Sequence, residues 1–218
     1  MSKSDDVNIF YLHPSPLTAA RWLHDKHLVK MVLESAQLLS TACQIIIMER
    51  DTKLYKPTHM YHPCTQWLLK SRYNAEWLYD HYIALCDQFM DKFRHNHKSR
   101  DLCNAIEGHI PLFPNEDFTE PPLCMPDDCK IDGQPAYQCY QLYYLRYKIR
   151  IGSYRRVKMP YWVSQALNVV ADSDASQAAA DAHLRALAEL GPMYDDGQSQ
   201  SEPDYPDTLG LTSLETQV

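Results

Sequence analysis

LTAARWLHDKHLVKMVLESAQLLSTACQIIIM, residues 17–48, decides the fold class, because its apolar residues Leu17, Ala20, Met31, Leu38 and Ile45 recur at helical spacing. Ser15 is placed to cap the start, and Pro16 suits a first helical position, where its missing N–H has no partner to lose. One long helix from Leu17 to about Met48 is expected. Within it His24, His27 and Glu34 fall on the face that carries Met31 and Leu38. Titratable groups among core formers cost free energy unless paired, and they acquire shifted pKa values suited to acid/base work. Glu34, His27 and His24 are therefore the candidate catalytic residues. A purely structural pairing of His27 and Glu34, with Lys30 or Arg72 as partner, is the competing reading.

Working outward, Val7–Leu12 (VNIFYL) is short, apolar and β-prone, and reads as one N-terminal strand. A charged connection follows the first helix. His62-Pro63 then opens a second helix, which Trp67, Trp77, Leu78, Leu85 and Phe89 carry to about Phe93. A shorter helix is expected over Lys98–Glu107. Residues 108–135 are proline-rich and aperiodic, an ordered connection wrapping the body. A Tyr-rich helical stripe runs from Pro135 to Arg150, and a weak helical signal spans Ser176–Leu190. Six glycines in 218 residues argue against a loop-rich β protein. The expectation is a mainly α fold: a compact helical domain of three to four helices with one short N-terminal strand, over residues 1–163. Residues 164–218 form an acidic tail whose sparse core formers cannot offset the entropy of ordering it.

The formal charge of −7 belongs to that tail, which has Arg185 as its single base against ten acids. The body is nearly balanced, so an acidic pI of about 5.8 leaves DNA open as a partner. Its densest basic segment, Arg146, Lys148, Arg150, Arg155, Arg156 and Lys158, is interleaved with Tyr147, Tyr154, Tyr161 and Trp162. Bases of this kind make salt-sensitive phosphate contacts, and rings can stack on an extruded nucleobase. A solvated helix end with tyrosines packed inside is the alternative.

The seven cysteines form no CxxC pair and are read as reduced thiols. His24-x-x-His27 and His95-x-His97 have ligand types but complete no recognised metal set, so no metal and no cofactor are expected. Neither GxGxxG, GxxxxGK[ST] nor GxSxG occurs, which counts against ordinary nucleotide-dependent kinases, dehydrogenases and serine hydrolases. No apolar run is long enough for a signal peptide or a membrane span, and the chain reads as cytoplasmic.

The blocks NIFYL, HDKHLVKMVLESAQLLSTA, YKPTHMYHPCTQWLLKSRYNAEWLY, MPDDCK and PYW resemble a family of small proteins encoded by tailed phages. DKHLVKMVLESAQLL also aligns without gaps to the active-site helix of phage pyrimidine-dimer DNA glycosylases, with Asp25, His27, Leu28 and Glu34 matching. Glu34 falls on the catalytic carboxylate of that family. Those enzymes attack the sugar with the amine of a mature N-terminus, whereas Met1–Val7 here precede the first apolar segment. Two arginines of their helix are replaced by Leu33 and Gln37.

A carboxylate kept without its usual nucleophile suggests that another molecule attacks. By size and phage character the chain resembles the amino acid:DNA transferases of thymine hypermodification. That resemblance implies transfer of an amino acid, glycine for example, to a phosphorylated 5-hydroxymethyluracil in double-stranded DNA in the host cytoplasm. The base is extruded, Glu34 acts as general base, and His27 or His24 attends the departing phosphate. A pyrimidine-dimer-type glycosylase/AP lyase is the second expectation. A non-catalytic phage protein that binds a host factor through its acidic tail is the third.

Overall fold

In a computed structural model, residues 7–149, 153–154 and 157–172 are described. Seven α-helices follow one another: α1 Pro16–Arg21, α2 Asp25–Ile47, α3 Pro63–Leu68, α4 Arg72–Phe93, α5 Cys103–His109, α6 Ala136–Tyr147 and α7 Tyr161–Asp172. Among the described residues there is no strand. None of these helices is long and apolar enough to cross a membrane.

The chain is mainly α, as the periodicity predicts, and α2 is its axis. Leu28, Met31, Val32, Leu38, Leu39 and Ala42 form a buried stripe at helical spacing. That stripe packs on α3, α4 and α5, and α1 lies against α4. Each fully buried leucine in it contributes about 2 kcal/mol of transfer free energy. Helix α2 ends where Met48 turns left-handed (φ 53°), and α4 ends in the same way at Arg94 (φ 63°).

The single long helix expected over 17–48 is two helices. Ser15 caps α1 and Pro16 opens it, but α1 stops at Trp22, and His24 is extended (ψ 162°) as the N-cap of α2. Distant groups make this break possible. The N–H of His24 donates to the Tyr144 hydroxyl at 2.8 Å, and that of Asp25 to the Ser153 carbonyl at 2.8 Å. Two orphaned amides are satisfied from α6 and beyond it. Likewise the expected second helix divides at Ser71, whose side chain accepts from the Tyr73 N–H and so starts α4.

Residues 7–12 are buried as expected, but they are not a strand. The Phe10 N–H donates to Asn8 Oδ1 at 2.8 Å, the Leu12 N–H to the Phe10 carbonyl at 2.7 Å, and Gln141 Nε2 to the Leu12 carbonyl at 2.9 Å. Helices surround the segment, and its polar groups pair with side chains and local turns in place of a ladder.

The proline-rich connection wraps the body as the sequence suggests. Trp67 Nε1 donates to the Thr119 carbonyl at 2.8 Å, Asn74 exchanges hydrogen bonds with Thr119, and Tyr140 donates to the Pro122 carbonyl at 2.7 Å.

Helix α7 was not expected. It starts after Pro160, seats Trp162 against Trp22 and Tyr144, and runs through residue 163, where the sequence reading ends the domain. The tail from 173 on, with its weak helical signal over 176–190, lies outside the described residues.

Histidine is used repeatedly as a cap. The Nδ1 atoms of His24, His62 and His97 accept backbone N–H groups at the starts of α2, α3 and the 3₁₀ turn Lys98–Leu102. His13 does the same for Ser15 N–H at 2.9 Å.

Candidate active site

Glu34 lies in the middle of α2 and is 7% exposed. Its Oε1 meets Lys30 Nζ, one helical turn earlier, at 3.0 Å, and its Oε2 faces the backbone N–H of Asn8 at 3.5 Å. Burying a carboxylate needs such compensation. Arg72, the other partner considered from the sequence, pairs with Glu76 instead.

Asn8 is the residue that sequence reasoning missed. Its Oδ1 holds the Phe10 N–H and its Nδ2 donates to the Cys124 carbonyl at 2.7 Å. It ties the N-terminal segment both to itself and to the proline-rich wrap. The only available signal was a polar residue inside an apolar run. Phe10 has φ 45°, a conformation that costs a non-glycine residue on the order of 1 kcal/mol, and it is held there beside the site.

Phe10 covers His27, with ring centroids 4.6 Å apart. His24 lies 4.1 Å from His27 on another side, and Tyr144 meets His27 edge-on at 5.2 Å. His27 is thus boxed by rings. Burial, the neighbouring His24 and the charges of Lys148 and Lys30 push its pKa down to about 3. Burial likewise lowers His24 to about 4, partly opposed by Asp25. Both rings are neutral at physiological pH. They can offer hydrogen bonds there, but they are weak proton donors.

His24 and His27 meet each other, and Glu34 follows about two turns farther along α2, so the three are not one row on a helix face. His24 reaches the cluster as a cap, and the pair that meets the carboxylate is Lys30 and Asn8.

The basic segment divides. Lys148 Nζ sits 5.0 Å from the Tyr143 ring centroid and 5.8 Å from that of Phe10, which puts its charge over the His27 box. Arg146 instead binds the Asp128 side chain and carbonyl, both at 2.7 Å, and its side chain is only 8% exposed. Lys158 is exposed. Arg150, Arg155 and Arg156 lie outside the described residues. Trp162 belongs to the core, while Tyr147 and Tyr161 are exposed.

Near Glu34 a second cluster forms. Cys64 Sγ and Cys124 Sγ are 3.6 Å apart, and with His62 they present ligand atoms within 4.8 Å of one another. His62 Nδ1, however, already accepts the Cys64 N–H at 3.2 Å. The hydrogen bond shared with Cys124, in which the Cys64 thiol is the donor, together with burial and the Glu34 charge, holds Cys64 well above its ordinary range. None of the metal sets considered from the sequence forms this group.

Taken together, a buried carboxylate on α2 faces an amine and a backbone N–H, and two neutral imidazoles with a second lysine are grouped around Phe10 at the start of the same helix. Such a carboxylate can stabilise a developing positive charge or move a proton. No curated protein and no solved structure matches the chain. Residues 7–101 match the family model described as pyrimidine dimer DNA glycosylase, a stretch that contains Asn8, His24, His27, Lys30 and Glu34, so the part of the chain that builds the site is similar to that family.

Proposed function

We propose that this chain is a DNA-acting enzyme of the pyrimidine-dimer glycosylase type, cleaving the glycosidic bond of an altered pyrimidine in duplex DNA in the host cytoplasm. The observation that supports the reading is Glu34: a buried carboxylate inside the stretch that is similar to that family, held against the Asn8 N–H and the Lys30 amine. A carboxylate at this place stabilises the oxocarbenium character that C1′ gains as the base departs. A stacked base hides that carbon, so the target nucleotide is extruded first. Lys148, and Lys158 farther along, supply phosphate contacts.

Leu33 and Gln37 replace two arginines of the glycosylase helix, so the lesion is read differently from a dimer. Amino acid transfer to phosphorylated 5-hydroxymethyluracil has less support. It asks Glu34 to deprotonate an incoming ammonium, yet Oε1 of that carboxylate already binds the Lys30 ammonium.

The test is incision of duplexes that carry defined pyrimidine lesions or an abasic site, with nucleoside mass analysis alongside. Release of a base or cleavage at the lesion, absent in Glu34→Gln, supports the reading. A labelled amino acid recovered on a thymine derivative, with no incision, replaces it with the transferase.

A further inference from the structure

We propose that Lys30 is the nucleophilic amine of this site, forming an imine with C1′ of the deoxyribose. The inference rests on the glycosylase reading above and names an amine for its covalent step.

The geometry singles out this amine. Lys30 and Glu34 are one turn apart on α2, so the backbone fixes their separation, and Nζ lies 3.0 Å from Oε1. Their exposures differ in the sense a covalent site requires: the Lys30 side chain is 48% exposed and that of Glu34 9%. The amine faces an arriving ligand and the carboxylate stands behind it. The other carboxylate oxygen faces the Asn8 amide, which is no nucleophile.

Neighbouring amines are arranged differently. Lys92 is sealed against Asp25, its side chain 4% exposed, and Lys148 lies over the rings of Phe10 and Tyr143. An exposed lysine–glutamate pair on a helix ordinarily contributes only about 0.3–0.5 kcal/mol. Here the carboxylate is buried and lies within the stretch that matches the glycosylase family.

At an abasic site the step balances as follows. A Lys30 ammonium proton passes to Glu34 and the neutral amine attacks the C1′ aldehyde. The N–C1′ bond forms as the carbonyl oxygen becomes a hydroxyl, and that hydroxyl leaves as water with the proton returned by Glu34. An ammonium and an aldehyde thus become an iminium ion and one water. Glu34, ionised again, takes a C2′ proton; the electron pair of that C–H bond forms the C2′–C3′ double bond as the C3′–O bond breaks and the 3′ phosphate leaves, and water then hydrolyses the imine to free Lys30.

The experiment is borohydride trapping of the full chain on a duplex with one abasic site, followed by peptide mass mapping. Lys30→Arg, which keeps the charge and the ion pair, is run in parallel. The expected result is a reduced adduct on Lys30 and at least a hundredfold loss of trapping in Lys30→Arg, with its thermal midpoint and circular dichroism unchanged. An adduct mapped to Lys148, to a chain-terminal amine or to any other residue overturns the inference and leaves the glycosylase reading standing. Base release or incision without any adduct does the same. Absence of both adduct and incision on every lesion overturns the two together.

Discussion

Lys92 Nζ, in the last turn of α4, lies 2.6 Å from Oδ1 of Asp25, the first residue of α2, and both side chains are nearly buried. The other Asp25 oxygen accepts from Ser153 Oγ at 3.0 Å. This junction holds the N-terminus of α2 against α4 and so sets the direction in which His27, Lys30 and Glu34 project. Removing one partner strands a buried charge. Lys92→Met is expected to lower stability by about 3–5 kcal/mol, read as a shift in denaturant midpoint, and the double variant Lys92→Met/Asp25→Leu to recover part of that loss.

Glu34→Gln separates chemistry from folding. The amide oxygen still accepts the Asn8 N–H, so the thermal midpoint stays within a few degrees of wild type. Incision falls by about two orders of magnitude or more, because the negative charge at C1′ is gone. Equal losses of stability and activity would mean that Glu34 serves only to pair Lys30 structurally.

Lys148 and Arg146 are neighbours in sequence with opposite expected effects. Lys148→Met lowers the salt dependence of DNA binding by about one unit of slope and leaves stability nearly unchanged. Arg146→Met removes a charged partner of Asp128, leaving the Tyr147 hydroxyl, so it acts chiefly on stability, and the salt slope is preserved. Binding isotherms at several salt concentrations, with melting curves, distinguish the two.

Acid destabilises the fold through its buried imidazoles. Burial lowers His24 and His81 to about 4 and His27 to about 3, against 6.5 for a free ring. The unfolded chain therefore takes up these protons first as pH falls. Stability is complete above about pH 6.5 and declines from there towards pH 4, by roughly 3 kcal/mol at the limit for His81 alone. Denaturant titrations at stepped pH measure this decline, and His81→Gln is expected to flatten it.

Helical class and the central place of residues 17–48 were legible because apolar spacing survives in any helix that packs on a core. The break at 22–24 was not, since no glycine or proline marks it. It is stabilised by Tyr144 and Ser153, more than a hundred residues away. Glu34 and His27 could be found as polar residues in an apolar stripe. Asn8 could not be assigned to the site, because its approach to Glu34 depends on how an extended segment crosses α2. Lys30 was visible as a helical neighbour of Glu34, but nothing in the sequence says that this carboxylate is buried while the amine is not.

The histidine caps fix more than helix starts. An Nδ1 that receives a backbone N–H must hold its lone pair there, so His13, His24, His62 and His97 are each locked as the tautomer with hydrogen on Nε2. A second proton can go only onto Nδ1, where it would confront another donor. The proton is thus a common reagent for these latches, and because burial lowers the pKa of His13, His24 and His97 they stay fastened through the ordinary imidazole range, the α2 latch opening only near pH 4. The ring-nitrogen chemical shifts of these four histidines report that unfastening directly.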